Sequence, residues 1–259
     1  MHPAQQDNPI AMVDRIASIV NFVADQREPV SVSEVARRTG LPKSTVSRIV
    51  HSLIPHGLLE FQDEGIVLGL RFFELGEQAS RPRSLRRLTY AHMEGLRRVT
   101  GQTVHLAVLD LIHVVYIEIL RSRNTPALPS RVGGRVPAHA TAVGKAILAF
   151  SPPEVTEKLI EGGLEKVGPR TITDSDALRA ALWKIRANGV AVEVEESGRG
   201  AACVAAPILV GEGKEPIAAI SVSGLAGELD LQACGRALRD ATAALRRQAV
   251  SLPRSGRTM

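Results

Sequence analysis

The sequence predicts an α+β chain in two parts: an N-terminal winged helix-turn-helix and, past a linker helix, an antiparallel sheet flanked by helices. Three observations predict it. Near the N-terminus two short helical patterns meet at a glycine and lead into an alternating apolar hairpin. Beyond Gly101, strand-like runs are interleaved with amphipathic helical runs. The chain closes on one long helical pattern, Leu231 to Leu252.

At 259 residues, 44% of them apolar and 23% charged, the chain is long enough for two domains with substantial cores. The expected division is 1–81 and 82–259. No apolar run approaches the roughly 20 residues of a membrane helix. The start, MHPAQQDNP, lacks a basic segment followed by an apolar block. A cytoplasmic protein with no membrane partner is expected. Cys203 and Cys234 form no CxxC pair, and His92, His105, His113 and His139 lack metal-ligand spacing. Neither disulfide, metal nor cofactor is expected.

The net charge of +5 must be located before it is used. Residues 1–81 are net acidic, whereas 82–100 and the tail from 231 onward hold the basic excess. Inside the acidic segment, Ser33 to His51 sets Arg37, Arg38, Lys43 and Arg48 against Glu34 alone.

Met12, Ile16, Ile19 and Val23 recur at helical spacing, giving a first helix from Ile10 to Ala24 with Asn8-Pro9 at its start. Ser31-Val32-Ser33-Glu34 matches a capping box opening a second helix to about Arg38. Gly40 permits a tight turn, and Pro42 suits the first position of a third helix running to about Ile54. There Val46, Ile49, Val50 and Leu53 must face the core, leaving Lys43, Ser44, Thr45, Ser47 and Arg48 near a solvent-facing start. Short hydroxyls approach bases or phosphates closely, and the cations neutralise phosphates or bind guanine, so these five residues are the expected contacts to double-stranded DNA. A hairpin follows, turning at Asp63-Glu64-Gly65. A helix from Leu70 to Ser80, ended by Pro82, and another from Leu85 to Thr100, capped by Gly101, lead into the second part.

Strands are expected at Thr103 to Leu109, Val114 to Leu120, Ala191 to Glu195, Cys203 to Val210 and Ile217 to Ser223, with helices at Pro152 to Glu161 and Ser175 to Ala187. The stretch PAHATAVGKAILA contains a Gly-Lys pair, but His139 and Ala146 stand where a phosphate-binding P-loop needs glycine and a hydroxyl. What survives is a helix capped by Thr141, whose first amides could meet an anion such as a carboxylate. The alternative is that Gly144 only permits close packing and Lys145 is solvated.

TGLPKSTVSRIVHSL, VGGRVPAHATAVGKAILA, GVAVEVEESGRGAACVAAPI and AAISVSG, in this order, resemble the IclR family of bacterial transcriptional regulators from about Ala11 to Leu252. The resemblance implies a GAF-like effector domain behind the winged module, and dimers or tetramers on pseudo-palindromic operators. It also implies a small organic acid, often aromatic, held between the ATAVGKA helix and the sheet. Carried over by motif position, that pocket involves Ala142, Val143, Glu193, Cys203, Ser221 and Ser223. Ser221 and Ser223, two apart, share a strand face and can donate to ligand oxygens. The family commonly has aspartate where Glu193 stands, and relatives often carry an aromatic near Ile66. Glu193 is expected to accept from a ligand hydroxyl or stay protonated, which points to a hydroxylated acid. Two other classes compete with this reading. A hydrolase built on Cys203, Ser221 or Ser223 lacks a G-x-S-x-G elbow, so no catalytic residue is expected. An effector sensor without DNA binding is the other, suggested by the acidic N-terminal segment.

Overall fold

The computed structural model describes residues 9–63, 65–122, 130–211 and 215–249, so the Pro-Arg-Ser-Gly-Arg tail and Glu64 lie outside the described residues. The chain divides into two compact units, Met1–Ser80 and Arg81–Met259.

In the first unit α1 (Pro9–Asp25), α2 (Val32–Thr39) and α3 (Lys43–Leu53) enclose Ile19, Val23, Val46, Ile49, Val50 and Leu53, from the apolar stripes expected of α1 and α3, together with Val35 of α2. Gly40 turns the chain between α2 and α3 at φ +70°, a left-handed conformation that costs other residues about 1 kcal/mol or more. Only half of the capping box forms. Ser31 Oγ accepts from the Glu34 amide at 3.2 Å, but the Glu34 carboxylate pairs with Arg37 instead of reaching back.

The wing is β1 (Leu59–Gln62) paired antiparallel with β2 (Gly65–Leu68), from Gln62 opposite Gly65 to Leu59 opposite Leu68. Gly65 is therefore a strand residue, not part of the turn. A Cβ there would come within 2.4 Å of Pro29 Cβ, because Val30 forms a two-way backbone bridge with Ile66. Helix α4 (Arg71–Gln78) follows. Pro82 ends nothing: it sits in the first turn of α5 (Ser80–Thr100), where amides have no intrahelical acceptor to lose. Gly101 caps α5 at φ +67°.

The second unit is built on a six-stranded antiparallel sheet. It comprises β3 (Thr103–Asp110), β4 (His113–Leu120), β5 (Arg135–Pro137), β6 (Ala191–Val194), β7 (Ala201–Val210) and β8 (Glu215–Leu225), in the order β5-β4-β3-β8-β7-β6. The short edge strand β5 was not expected from sequence. On one face α5 and α9 (Leu231–Ala249) bury Met93, Leu96, Leu238 and Leu245 against Leu106, Val204, Ile220 and Val222. On the other, α6 (Ala142–Leu148) and α8 (Ser175–Asn188) pack Ala146, Ile147, Leu178 and Leu182 against Ala107, Cys203, Ala205 and Ala219. Helix α7 (Pro153–Glu161) contributes Leu159 to this second core. Side chains alternate between the two cores along each strand, so every second residue of β3, β7 and β8 faces α6.

Candidate functional site

The outer face of α3 presents Lys43, Ser44 and Arg48 exposed and Thr45 and Ser47 half-buried, because the apolar residues at the opposite spacing are fixed in the core. Of the four cations concentrated here, two are engaged within the module. Arg37 Nη2 lies 2.6 Å from Glu34, and the Arg38 guanidinium sits 5.9 Å over the Phe22 ring. Lys43 and Arg48 have no ion-pair partner among the described residues, and no side chain caps the start of α3. The two cations free to meet a phosphate or a base edge are therefore on the helix that follows the turn.

In the second unit a row of polar side chains crosses the otherwise apolar face under α6. Strand register assembles it. Glu193 is opposite Cys203, Cys203 opposite Ser223, and Ser221 opposite His105. Ala107 is opposite Tyr116. Ser223 Oγ lies 3.1 Å from Cys203 Sγ and 3.3 Å from His105 Nδ1, while His105 Nε2 meets Ser130 Oγ at 2.9 Å. The Tyr116 ring centroid is 5.2 Å from that of His105. Glu193, Cys203, Ser221 and Ser223, four of the residues expected to line a pocket, are thus brought together, with Ala142 and Val143 buried on the helix that covers them. His105 and Tyr116 complete the row and were missed in the sequence.

Burial governs the protonation of this row. It pushes the Cys203 thiol up to about 12, with the nearby Glu193 charge adding to the effect, so the thiol is neutral and a poor nucleophile. Burial raises Tyr116 as well. It also raises Glu193, opposed by donors from its own loop: Ser197 Oγ at 2.6 Å and the Glu196 amide at 2.9 Å. His105 is pushed down to about 4, first by burial and then by the Arg121 charge. The unfolded chain binds this proton near pH 6.5 and the folded chain only near pH 4, so folding stability should fall as pH drops through that window. Glu193 works the other way, its raised pKa favouring the fold in acid. Comparing melting temperatures of wild type and His105→Asn from pH 7 to 4 isolates the histidine. The acid-side loss should shrink in the variant, and an identical profile would refute a buried neutral His105.

The Gly-Lys pair follows the packing alternative at Gly144 and departs from it at Lys145. Thr141 caps α6 through the Gly144 amide at 3.0 Å, but every residue of α6 is buried, so its start is not on the surface. Gly144 permits close packing: a Cβ there would sit 2.1 Å from the Ala138 carbonyl oxygen. Lys145 is not solvated. Its side chain is 2% exposed, and its ammonium lies 2.6 Å from both carboxylate oxygens of Glu196 and 3.3 Å from the Val192 carbonyl. His139 is likewise buried, with Nε2 at 2.9 Å from the Glu165 carbonyl. Among the described residues no cluster of histidine, cysteine or acidic side chains has the composition to hold a metal, and no helix is long and apolar enough to cross a membrane.

Both units match one family. Residues 12–63 match the IclR helix-turn-helix domain, and residues 78–251 match the C-terminal domain of bacterial transcriptional regulators of the IclR type. The chain belongs to the IclR family. Its relatives are DNA-binding regulators of transcription and not enzymes, which removes the hydrolase reading. The HTH-type transcriptional regulator XynR of Escherichia coli is 32% identical over 224 residues, 85% of this chain and 88% of that one. The regulator KdgR of the same organism is 32% identical over 79% of this chain and 78% of its own. Among solved structures, an IclR homolog from Microbacterium hydrocarbonoxydans complexed with 4-hydroxybenzoate is 31% identical. It covers 91% of this chain and 98% of its own, with a TM-score of 0.82. The Thermotoga maritima IclR is 28% identical over 93% of this chain, with a TM-score of 0.72.

Proposed function

We propose that this IclR-family regulator acts in the cytoplasm as a dimer or tetramer on a pseudo-palindromic operator, and that a small hydroxylated organic acid sets its affinity for that DNA. The division of labour falls near 81/82, with the winged module before it and the linker helix and effector domain after it. In each half-site Lys43, Ser44, Thr45, Ser47 and Arg48 contact the duplex from the start of α3. A two-fold arrangement is supported by α4, which exposes Phe73 and Leu75, with Leu70 beside it, at 66%, 48% and 64% of their surface.

The observation that carries the effector reading is the polar row buried in an apolar sheet face beneath α6. Polar groups removed from water cost free energy unless they have partners, so their concentration in one place needs a reason. Ala142 and Val143 wall the ligand on the helix side, while Ser221 and Ser223 donate to its oxygens and Cys203 packs as a neutral thiol. Glu193 either accepts from a ligand hydroxyl or, with its pKa raised by burial, takes a proton and ceases to repel an acid. The 4-hydroxybenzoate held by the Microbacterium homolog has the expected chemistry of a carboxylate and a hydroxyl on one small body. Calorimetry with keto, hydroxy and aromatic acids tests the pocket. Binding by at least one acid, weakened about tenfold or more in Ser221→Ala/Ser223→Ala, is the expected result. Equal affinity in wild type and double variant, or no binding at all, rejects it.

A further inference from the structure

The ammonium of Lys145 stands at the β6 end of the polar row. It donates to the carbonyl of Val192, next to Glu193, and Glu193 faces Cys203 across the strand pair. Its partner Glu196 comes from the loop after β6, with a side chain 11% exposed against 2% for the lysine. The backbone of Glu196 is held without help from its carboxylate. Its amide donates to Glu193 Oε2 at 2.9 Å, and its carbonyl accepts from Thr171 Oγ1 at 2.6 Å. With its backbone anchored independently and its side chain the more exposed, Glu196 is the better placed of the two to reach water.

Charge balance makes that asymmetry matter. His105 is neutral at pH 7 and Cys203 undissociated, so neither offers an entering carboxylate a positive charge. A buried anion without a counter-charge is strongly disfavoured. The other cation near the row, Arg121, is exposed and lies at the opposite end, bonded to the Ser130 carbonyl. Resting on the acid-pocket reading above, we propose that Lys145 changes partners: the effector carboxylate takes the ammonium from Glu196, which turns out to solvent. One carboxylate replaces another, so the net charge of the core is unchanged. The ligand then lies with its carboxylate toward β6, which requires the protonated form of Glu193, and its hydroxyl toward Ser221 and Ser223. Lys145 becomes the residue that selects acids over neutral analogues of the same shape, and binding reports to the surface through the loop that carries Glu196.

Calorimetry with matched pairs tests the exchange: 4-hydroxybenzoate, lactate and pyruvate, each beside its primary amide. In Glu196→Gln the competing charge is gone, so the preference for acid over amide should rise about tenfold, within the usual range of a coupling between neighbouring groups. In Lys145→Met/Glu196→Leu, which removes both charges and keeps apolar bulk, the preference should vanish while the amide still binds. The double variant keeps the test open if Glu196→Gln does not fold. An unchanged acid-to-amide ratio in both variants overturns the exchange, as does loss of the preference in Arg121→Gln with Glu196→Gln unaffected. The two readings fail separately. If ligands bind, need Ser221 and Ser223, and show no altered ratio, only the exchange falls; if no ligand binds wild type, the pocket falls and the exchange with it.

Discussion

Replacing Glu196 with leucine is expected to destabilise the effector domain by about 3 to 5 kcal/mol, the cost of leaving a buried charge without its partner. Lys145 is 2% exposed and rooted in the middle of α6, so its ammonium would be left buried with the Val192 carbonyl, 3.3 Å away, and no counter-charge. The converse change should cost less. In Lys145→Met the stranded group is Glu196, 11% exposed on a loop, and turning it to water limits the loss to about 1 to 3 kcal/mol. The double variant Lys145→Met/Glu196→Leu should recover most of either loss, because well-packed apolar side chains commonly replace a buried ion pair at no net cost. Urea unfolding of the three full-length variants checks the order. If Lys145→Met proves the more damaging, Glu196 has no access to water, and the partner exchange loses its physical basis.

Where the fold was legible in the sequence, the signal was local. The stripes of α1 and α3, the Ser31 and Thr141 caps and the turns at Gly40 and Gly101 each depend on a few consecutive residues, and all are present. Features that depend on a distant partner were not legible. The three residues of β5 form a strand only because Val115 and its neighbours lie alongside. Gly65 reads as a turn residue until Pro29 is seen against it. Pro82 is ambiguous for another reason: proline both stops a helix and suits its first turn, and the sequence alone does not say which.

The site divides along the same line. The exposed face of α3 follows from helical periodicity and needed nothing else. Ala142, Val143, Glu193, Cys203, Ser221 and Ser223 came from the family resemblance, since no spacing links residues on four separate elements. His105 and Tyr116 are single polar residues in apolar strands, joined to that set by sheet register. Lys145 did leave a signal that went unread. Ala142, Val143, Ala146, Ile147 and Leu148 surround it on all sides of α6, and a helix apolar all round is a buried helix. A lysine within one needs an acidic partner, which the Glu-rich stretch after β6 supplies.

In the winged module, Arg48→Ala should weaken operator binding by about 1 to 3 kcal/mol, or roughly five- to 150-fold, and relax sequence preference at one base pair per half-site. That outcome requires the guanidinium to read a guanine edge in the major groove. A phosphate contact would instead weaken every sequence alike. The geometry favours the guanidinium being available, since Arg48 is exposed and, unlike Arg37, has no acidic neighbour holding it. Lys43 opens α3, where the helix's first amides and its positive dipole end also favour a phosphate. Lys43→Ala should therefore leave sequence preference intact and lower the slope of log affinity against log salt by about one. Titrations of operator and scrambled duplexes at several salt concentrations separate the two roles. Neither variant touches the buried residues of α3, so both should fold as wild type does. Unchanged operator affinity in both, at low and moderate salt, would mean that this face of α3 does not meet DNA and would revive the reading of an effector sensor without an operator.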